Sequence, residues 1–139
     1  MDINYHIYGS NKYLEQYGIP KTVNDLNKHR FISFGRGAPS PVFNPDWAMK
    51  LGMKDNKKRK SVMKVNSVMG LLLAVESGVG LAALPEYLVS DSNKVIKVLP
   101  KSEGPITEAH FVFPQSLKNV ARVQAFRNFL YSKISEWKF

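Results

Sequence analysis

The sequence predicts an α/β protein with a mixed, mainly parallel sheet flanked by helices, and three observations carry that prediction. Segments with strand character alternate with segments of helical period along the chain. One unbroken run, Met63 to Leu88, reads as strand, helix, strand. Its second strand, Val79 to Leu84, is apolar throughout, as a strand covered on both faces requires.

Within that run, Val62, Met63 and Val65 suit a strand, and Ser67 is placed to cap the following helix by accepting from an amide one turn on. Gly78 stops the helix, because a left-handed residue after the last turn costs glycine little, and Pro85 ends the second strand. The unit is a candidate right-handed βαβ crossover. Asn66, Ser67 and the amides after them then open beside the carboxyl end of the first strand, where open α/β sheets bind ligands.

Ahead of this unit, Ile3, Tyr5 and Ile7 alternate with polar residues and predict a first strand, broken at Gly9-Ser10-Asn11. A short helix from Lys12 to Tyr17 follows, capped by Asn11 and closed at Gly18. Thr22 and Asp25 resemble a capping box that opens a second helix with Leu26 as its buried anchor. Phe31 to Phe34 is the next strand, ended by Gly35-Arg36-Gly37. Three prolines between Ala38 and Asp46 make that stretch an irregular loop. Trp47, Ala48 and Met49 then read as a strand forming an edge hairpin with Ser61 to Asn66 through a basic turn near Asp55-Asn56.

Beyond the central unit, Glu86 to Val89 forms a helical turn behind Pro85. Val95 to Leu99 is a strand, and Thr107 to Phe113 is a further one. The longest helix comes last, with Val120, Val123, Phe126, Leu130, Ile134 and Trp137 on one apolar stripe.

Length and composition bound the function. At 139 residues with 44% hydrophobic content, one core is expected. No apolar run approaches the ~20 residues of a membrane helix, and the first residues lack a signal-peptide pattern, so a soluble cytoplasmic protein without membrane contact is expected. The absence of cysteine removes disulfides, thiolate metal sites and cysteine nucleophiles. No catalytic residue is assigned, and neither a metal nor a cofactor is expected. His6, His29 and His110 stand apart from metal-ligand spacing, and His29 reads as a helix-end residue paired to the last carbonyls. The serines lack a nucleophile elbow, and neither Glu76 nor Glu86 has a second acid placed to form a catalytic pair. Gly78-Val79-Gly80 follows a helix instead of preceding one, so it is helix stop and tight packing, not a dinucleotide fingerprint.

Binding chemistry is what remains. A helix N-terminus at Asn66 and Ser67 favours a carboxylate or phosphate, although a plain cap without a ligand explains Ser67 as well. Ser33, near the end of its own strand, adds a second hydroxyl to the same rim. The net charge of +9 concentrates between Lys50 and Lys64, where seven basic residues face one acid. Lys57, Lys58, Arg59 and Lys60 are candidate nucleic-acid contacts, but no aromatic side chains alternate with them as a stacking surface would need. A solvated turn that protects a sheet edge is the simpler reading.

Several segments in order resemble the effector-binding domain of LysR-type transcriptional regulators. They are Gly9 to Thr22, Asp25-Leu26 with His29, Phe31 to Phe34, Val65-Asn66-Ser67, Glu76 to Pro85, Val98-Leu99-Pro100, Phe111 to Pro114 and Val123 to Leu130. The resemblance implies one lobe of a type II periplasmic-binding-protein-like fold, with a small effector held between two lobes, and the residues at Asn66 and Ser67 argue that this effector is an anion. It implies residues 1–9 as the first crossover strand, 10–109 as the second lobe, and 110–139 as the return strand, at Phe111 to Phe113, with the terminal helix. Ser10, Ser33, Asn66, Ser67 and Pro85 become the effector-facing candidates. The helix-turn-helix and most of the first lobe are expected to be absent here, so DNA would be reached only through that missing domain. With the first lobe absent, the terminal helix is expected to fold back on its own sheet or on a second copy, giving a homo-oligomer through that helix or an exposed lobe face. Leaving the stripe wet would cost several kcal/mol at ~25 cal/mol per Å². The competing function is a stand-alone basic module for nucleic acid or protein.

Overall fold

The computed structural model describes residues 1–35, 44, 46–55 and 57–136. Most of the proline-rich loop, Asn56 of the basic turn and Trp137 of the apolar stripe lie outside the described residues.

The elements run β1 (Asp2–Ser10), α1 (Asn11–Tyr17), a 3-10 helix (Val23–Lys28), β2 (Phe31–Phe34), α2 (Trp47–Lys50), β3 (Ser61–Val65), α3 (Val68–Glu76), β4 (Ala82–Pro85), α4 (Glu86–Val89), β5 (Val95–Val98), β6 (Ile106–Glu108), a second 3-10 turn (Gln115–Leu117) and α5 (Ala121–Glu136). One sheet has the order β4-β1-β5, with β6 also on β1, and β2 and β3 form a parallel pair. A parallel bridge between Phe31 and Leu81 joins the two. The Ile32 amide donates to the Leu81 carbonyl and the Leu81 amide to the Arg30 carbonyl, both at 2.8 Å. All strands except β1 therefore run the same way, and β1 is antiparallel to its three partners.

Strand alternation distributes the core on both faces. Ile7 and Phe31 pack with Tyr13, Leu14, Leu26 and Trp47 on the α1 side. Their neighbours Tyr8 and Ile32 pack with Leu71, Leu72, Val75 and Leu84 on the α3 side. The βαβ unit forms as expected, with β2 lying between its two strands. Gly78 adopts φ 81° after α3. A Cβ on Gly80 would stand 2.6 Å from the Arg30 carbonyl oxygen, so only glycine lets β2 and the start of β4 approach. Thr22 and Asp25 form the full capping box.

Several local expectations are corrected. Ser10, not Asn11, caps α1, accepting from the Tyr13 amide at 3.2 Å. Trp47 to Met49 is a helical turn, and all three residues are buried, which a strand with one open face cannot achieve. The edge hairpin is therefore absent, and β3 pairs in parallel with β2. The expected return strand is reduced to Ile106–Glu108, paired with Asn4–Asp2. The Met1 carbonyl accepts the Ala109 amide at 2.8 Å, and Phe111 to Phe113 carry no strand pairing among the described residues. Finally, α5 buries none of its described residues, and Phe126, Phe129 and Tyr131 are more than half exposed. It does not fold back on its own sheet.

Candidate functional site

Because β2, β3 and β4 run in one direction, their carboxyl ends gather at one edge of the sheet. Gly35 closes β2 there, its amide donating to the Val65 carbonyl at 2.8 Å. Asn66 and Ser67 follow Val65 and are exposed. Ser67 caps α3 through Oγ, which accepts from the Gly70 amide at 3.3 Å, while its carbonyl accepts from the Leu71 amide. The first turn of α3 contains no acidic residue, so its partial positive charge faces the rim uncompensated. Ser33 lies just inside the rim, buried and in register with Lys64 of β3.

Two other candidates are not brought to this accessible rim. Ser10 is 1% exposed and committed to its cap. Its Oγ would be 3.6 Å from a Cβ at Gly78, which puts it by the far end of α3 from Ser67. Eleven residues of rise separate those ends, roughly 16 Å at ~1.5 Å per residue. Pro85 ends β4 on the same side of the sheet but is fully buried and offers no surface to a ligand.

The basic turn also divides. Arg59 is a structural clamp. Its guanidinium donates to the carbonyls of Leu51 (2.8 Å), Val23 (3.3 Å), Met49 (3.4 Å) and Ala48 (3.5 Å) and to Asn27 Oδ1 (2.8 Å), and it lies over the Phe31 ring. Three of those carbonyls belong to the end of α2, where the helix dipole is negative. Lys58 pairs with Asp46 at 2.7 Å. Only Lys57 and Lys60 of the four are exposed without an ion pair among the described residues.

A polar cluster that spacing does not reveal sits across β1, β5 and α4. Lys97 donates to Glu86 at 3.0 Å, and this hydrogen bond holds the Glu86 carboxyl below its usual range against the opposing effect of burial. His6 Nε2 stands 3.8 Å from the same carboxylate. Burial of the imidazole, helped by the nearby Lys97, keeps His6 below the ordinary histidine value. Burial, with the Glu86 charge, pushes the Tyr8 hydroxyl up to about 12. Register brings the cluster together: His6 pairs with Leu84 and Tyr8 with Lys97, residues about eighty to ninety positions apart.

His29 does not bond helix-end carbonyls through its ring. Its Nδ1 lies 3.2 Å from the Tyr13 hydroxyl, which also accepts the Arg30 amide at 2.9 Å. That leaves the hydroxyl proton for His29, whose ring is kept neutral mainly by burial.

Residues 1–134 match the family described as the LysR substrate binding domain. The chain belongs to that family. A curated relative, an uncharacterized helix-turn-helix-type transcriptional regulator of Haemophilus influenzae, is 29% identical over 113 residues, covering 78% of this chain and 38% of the relative. Among solved structures, the regulatory domain of CrgA, a LysR-type regulator from Neisseria meningitidis, superposes with TM-score 0.74 at 22% identity, over 96% of this chain and 65% of that one. Full-length AphB of Vibrio cholerae gives 0.68 at 11% identity, over 96% and 46%. These likenesses establish a LysR regulatory-domain fold, with this chain spanning less than two thirds of each of these relatives. The relatives are transcriptional regulators, and among the described residues of this LysR-family chain no helix is long and apolar enough to cross a membrane.

Proposed function

We propose that this LysR-family chain is the ligand-sensing and assembly part of a transcriptional regulator, and that it takes a small anionic effector at the rim formed by Asn66, Ser67 and the first turn of α3. The exposed cap at Ser67 carries the proposal, because it presents a helix N-terminus free of acidic side chains at the carboxyl edge of the sheet. Ser33 lies just inside it. Ligand sites bury most of their ligand, and this rim supplies one wall, so affinity in the isolated chain is weak. DNA is reached through a helix-turn-helix segment outside these residues, and residues 1–9 and 106–113 connect the lobe to the other half of the receptor.

Assembly is supported by the edge strand β3 and the adjoining face of α3, where Val62, Met63, Met69 and Leu73 are all exposed. A second copy of the chain covers this face in the proposed homo-oligomer, with the exposed side of α5 as the further surface.

Titration of isotopically labelled protein with acetate, succinate and inorganic phosphate should shift the amides of Asn66 to Met69 at millimolar concentrations. Ser67→Ala should weaken that response several-fold. Shifts confined to Lys57 and Lys60 would instead indicate nonspecific anion attraction and overturn the site. Sedimentation equilibrium should show a dimer that Leu73→Glu dissociates, and an unchanged monomer in the parent chain would remove the assembly half of the proposal.

A further inference from the structure

Six of the chain's nine net positive charges lie between Lys50 and Lys64, where seven basic residues meet one acid, Asp55. Two of the seven are used internally, Arg59 by the carbonyls around α2 and Lys58 by Asp46. The other five, Lys50, Lys54, Lys57, Lys60 and Lys64, are exposed and form no ion pair among the described residues.

Their backbone is held in place. The Met53 amide donates to the Lys50 carbonyl at 2.8 Å, the Lys57 amide to the Lys54 carbonyl at 3.1 Å, and the Arg59 amide to the Met49 carbonyl at 3.0 Å. Trp47 to Met49, from which the turn starts, belong to the α1-side core, and Lys64 points the same way because its neighbour Val65 packs on the α3 side. The lysines therefore flank the α1 side of the β3 edge, with α3 on the other. The opposite edge of the sheet uses lysine differently. On β5, Lys97 stands 3.0 Å from Glu86, and Lys94, just before it, 3.7 Å from Glu76, so each has an acid of its own chain. Either arrangement keeps an edge soluble, but only the β3 edge leaves its positive charge uncompensated. Like charges gathered on one turn repel one another, and an external polyanion offsets that repulsion.

The chemistry of the patch selects the polyanion. Its exposed cations are lysines, compact charges suited to phosphate, and the one planar guanidinium, Arg59, is spent inside. No aromatic residue occurs between Lys50 and Lys64 to stack on an unpaired base or to enter a lipid surface. Four residues of extended chain from Lys60 to Lys64 span roughly 13 Å at ~3.3 Å per residue, and each strand of a duplex carries a phosphate every ~3.4 Å of axis. We propose that this surface docks on the phosphate backbone of duplex DNA without reading its sequence. The choice of DNA rests on the proposed role in a transcriptional regulator. The surface itself is separate from the Ser67 rim and needs no effector.

The test follows the fluorescence anisotropy of two labelled duplexes of about 20 base pairs and unrelated sequence, titrated with the whole chain from about 50 to about 200 mM salt. The plot of log K against log salt is expected to have a slope between about −3 and −4, as roughly four neutralised phosphates at ~0.9 each require, and the same slope for both sequences. Replacing two lysines of the turn together, Lys57→Ser and Lys60→Ser, should reduce that slope by about 2. Lys12→Ser with Lys101→Ser removes equal charge from exposed positions elsewhere and should leave it unchanged. Equal reductions by the two pairs would show attraction by net charge alone, tighter binding to phosphatidylserine vesicles would assign the patch to a lipid surface, and no binding at about 50 mM salt would leave a solvated turn. Each of these overturns the proposal. The acetate response at Asn66 to Met69 reads the effector site independently: its loss with the slope intact would remove that site and leave this surface, and the reverse would remove this surface alone.

Discussion

The two ends of α3 show how one local device acquires two different roles. Ser10 and Ser67 each cap a helix by accepting from the amide three residues on, at 3.2 and 3.3 Å. Ser10 lies at the closed end of the sheet, near the C-terminus of α3, where the polar groups of Tyr13, His29 and Arg30 satisfy one another. Ser67 lies at the open end, where Asn66 and the first turn of α3 face solvent. A cap is decided within four residues, whereas availability to a ligand is decided by which end of the sheet the helix occupies.

The largest expected effect tests the closed end. Arg59→Ala removes five hydrogen bonds from a positive group and leaves Val23, Leu51 and their neighbours without a donor. A loss of about 3 kcal/mol in urea unfolding is expected, well above the near-zero cost of a surface charge. Lys57→Ala in the same turn should cost less than ~0.5 kcal/mol. Equal losses would remove the distinction between a clamp and a solvated turn.

The two caps provide the direct contrast. Ser10→Ala strands the Tyr13 amide where water does not reach, and should cost about 2 kcal/mol. Ser67→Ala should cost about 1 kcal/mol or less, because water can replace the lost oxygen. Parallel denaturation curves measure both, and a reversed order would mean that the rim is not open in solution.

The smallest effect is in the pH dependence. His29 and His6 both lie below the ordinary histidine value of about 6.5 when folded, each mainly through burial. Between the folded and unfolded values the unfolded chain binds more protons, so stability rises with pH. The contribution is fully present above pH ~6.5 and is lost as pH falls through the lower folded values. His29→Gln should flatten the fall in denaturation midpoint between pH 7 and pH 5, and a parent chain that gains stability over that interval would contradict the neutral-imidazole assignment.

Much of this was legible in the chain because short-range physics governs it. The Thr22–Asp25 box, the Phe31–Phe34 strand, the Ser67 cap, the Gly78 stop and the close packing at Gly80 each depend on a few neighbouring residues. Family-specific segments from Gly9 to Leu130 likewise pointed to the LysR fold that the comparisons establish. The tertiary structure decided what sequence distance conceals. It assigned Arg59 to the carbonyls of α2 instead of to solvent, made a buried turn of Trp47–Met49, and left α5 uncovered. It also set Ser10 at the far end from Ser67 and assembled His6, Glu86 and Lys97 from β1, the start of α4 and β5. Caps and glycine stops are local equilibria, while charge pairing and ligand access depend on strand register, which is fixed only when the whole sheet closes.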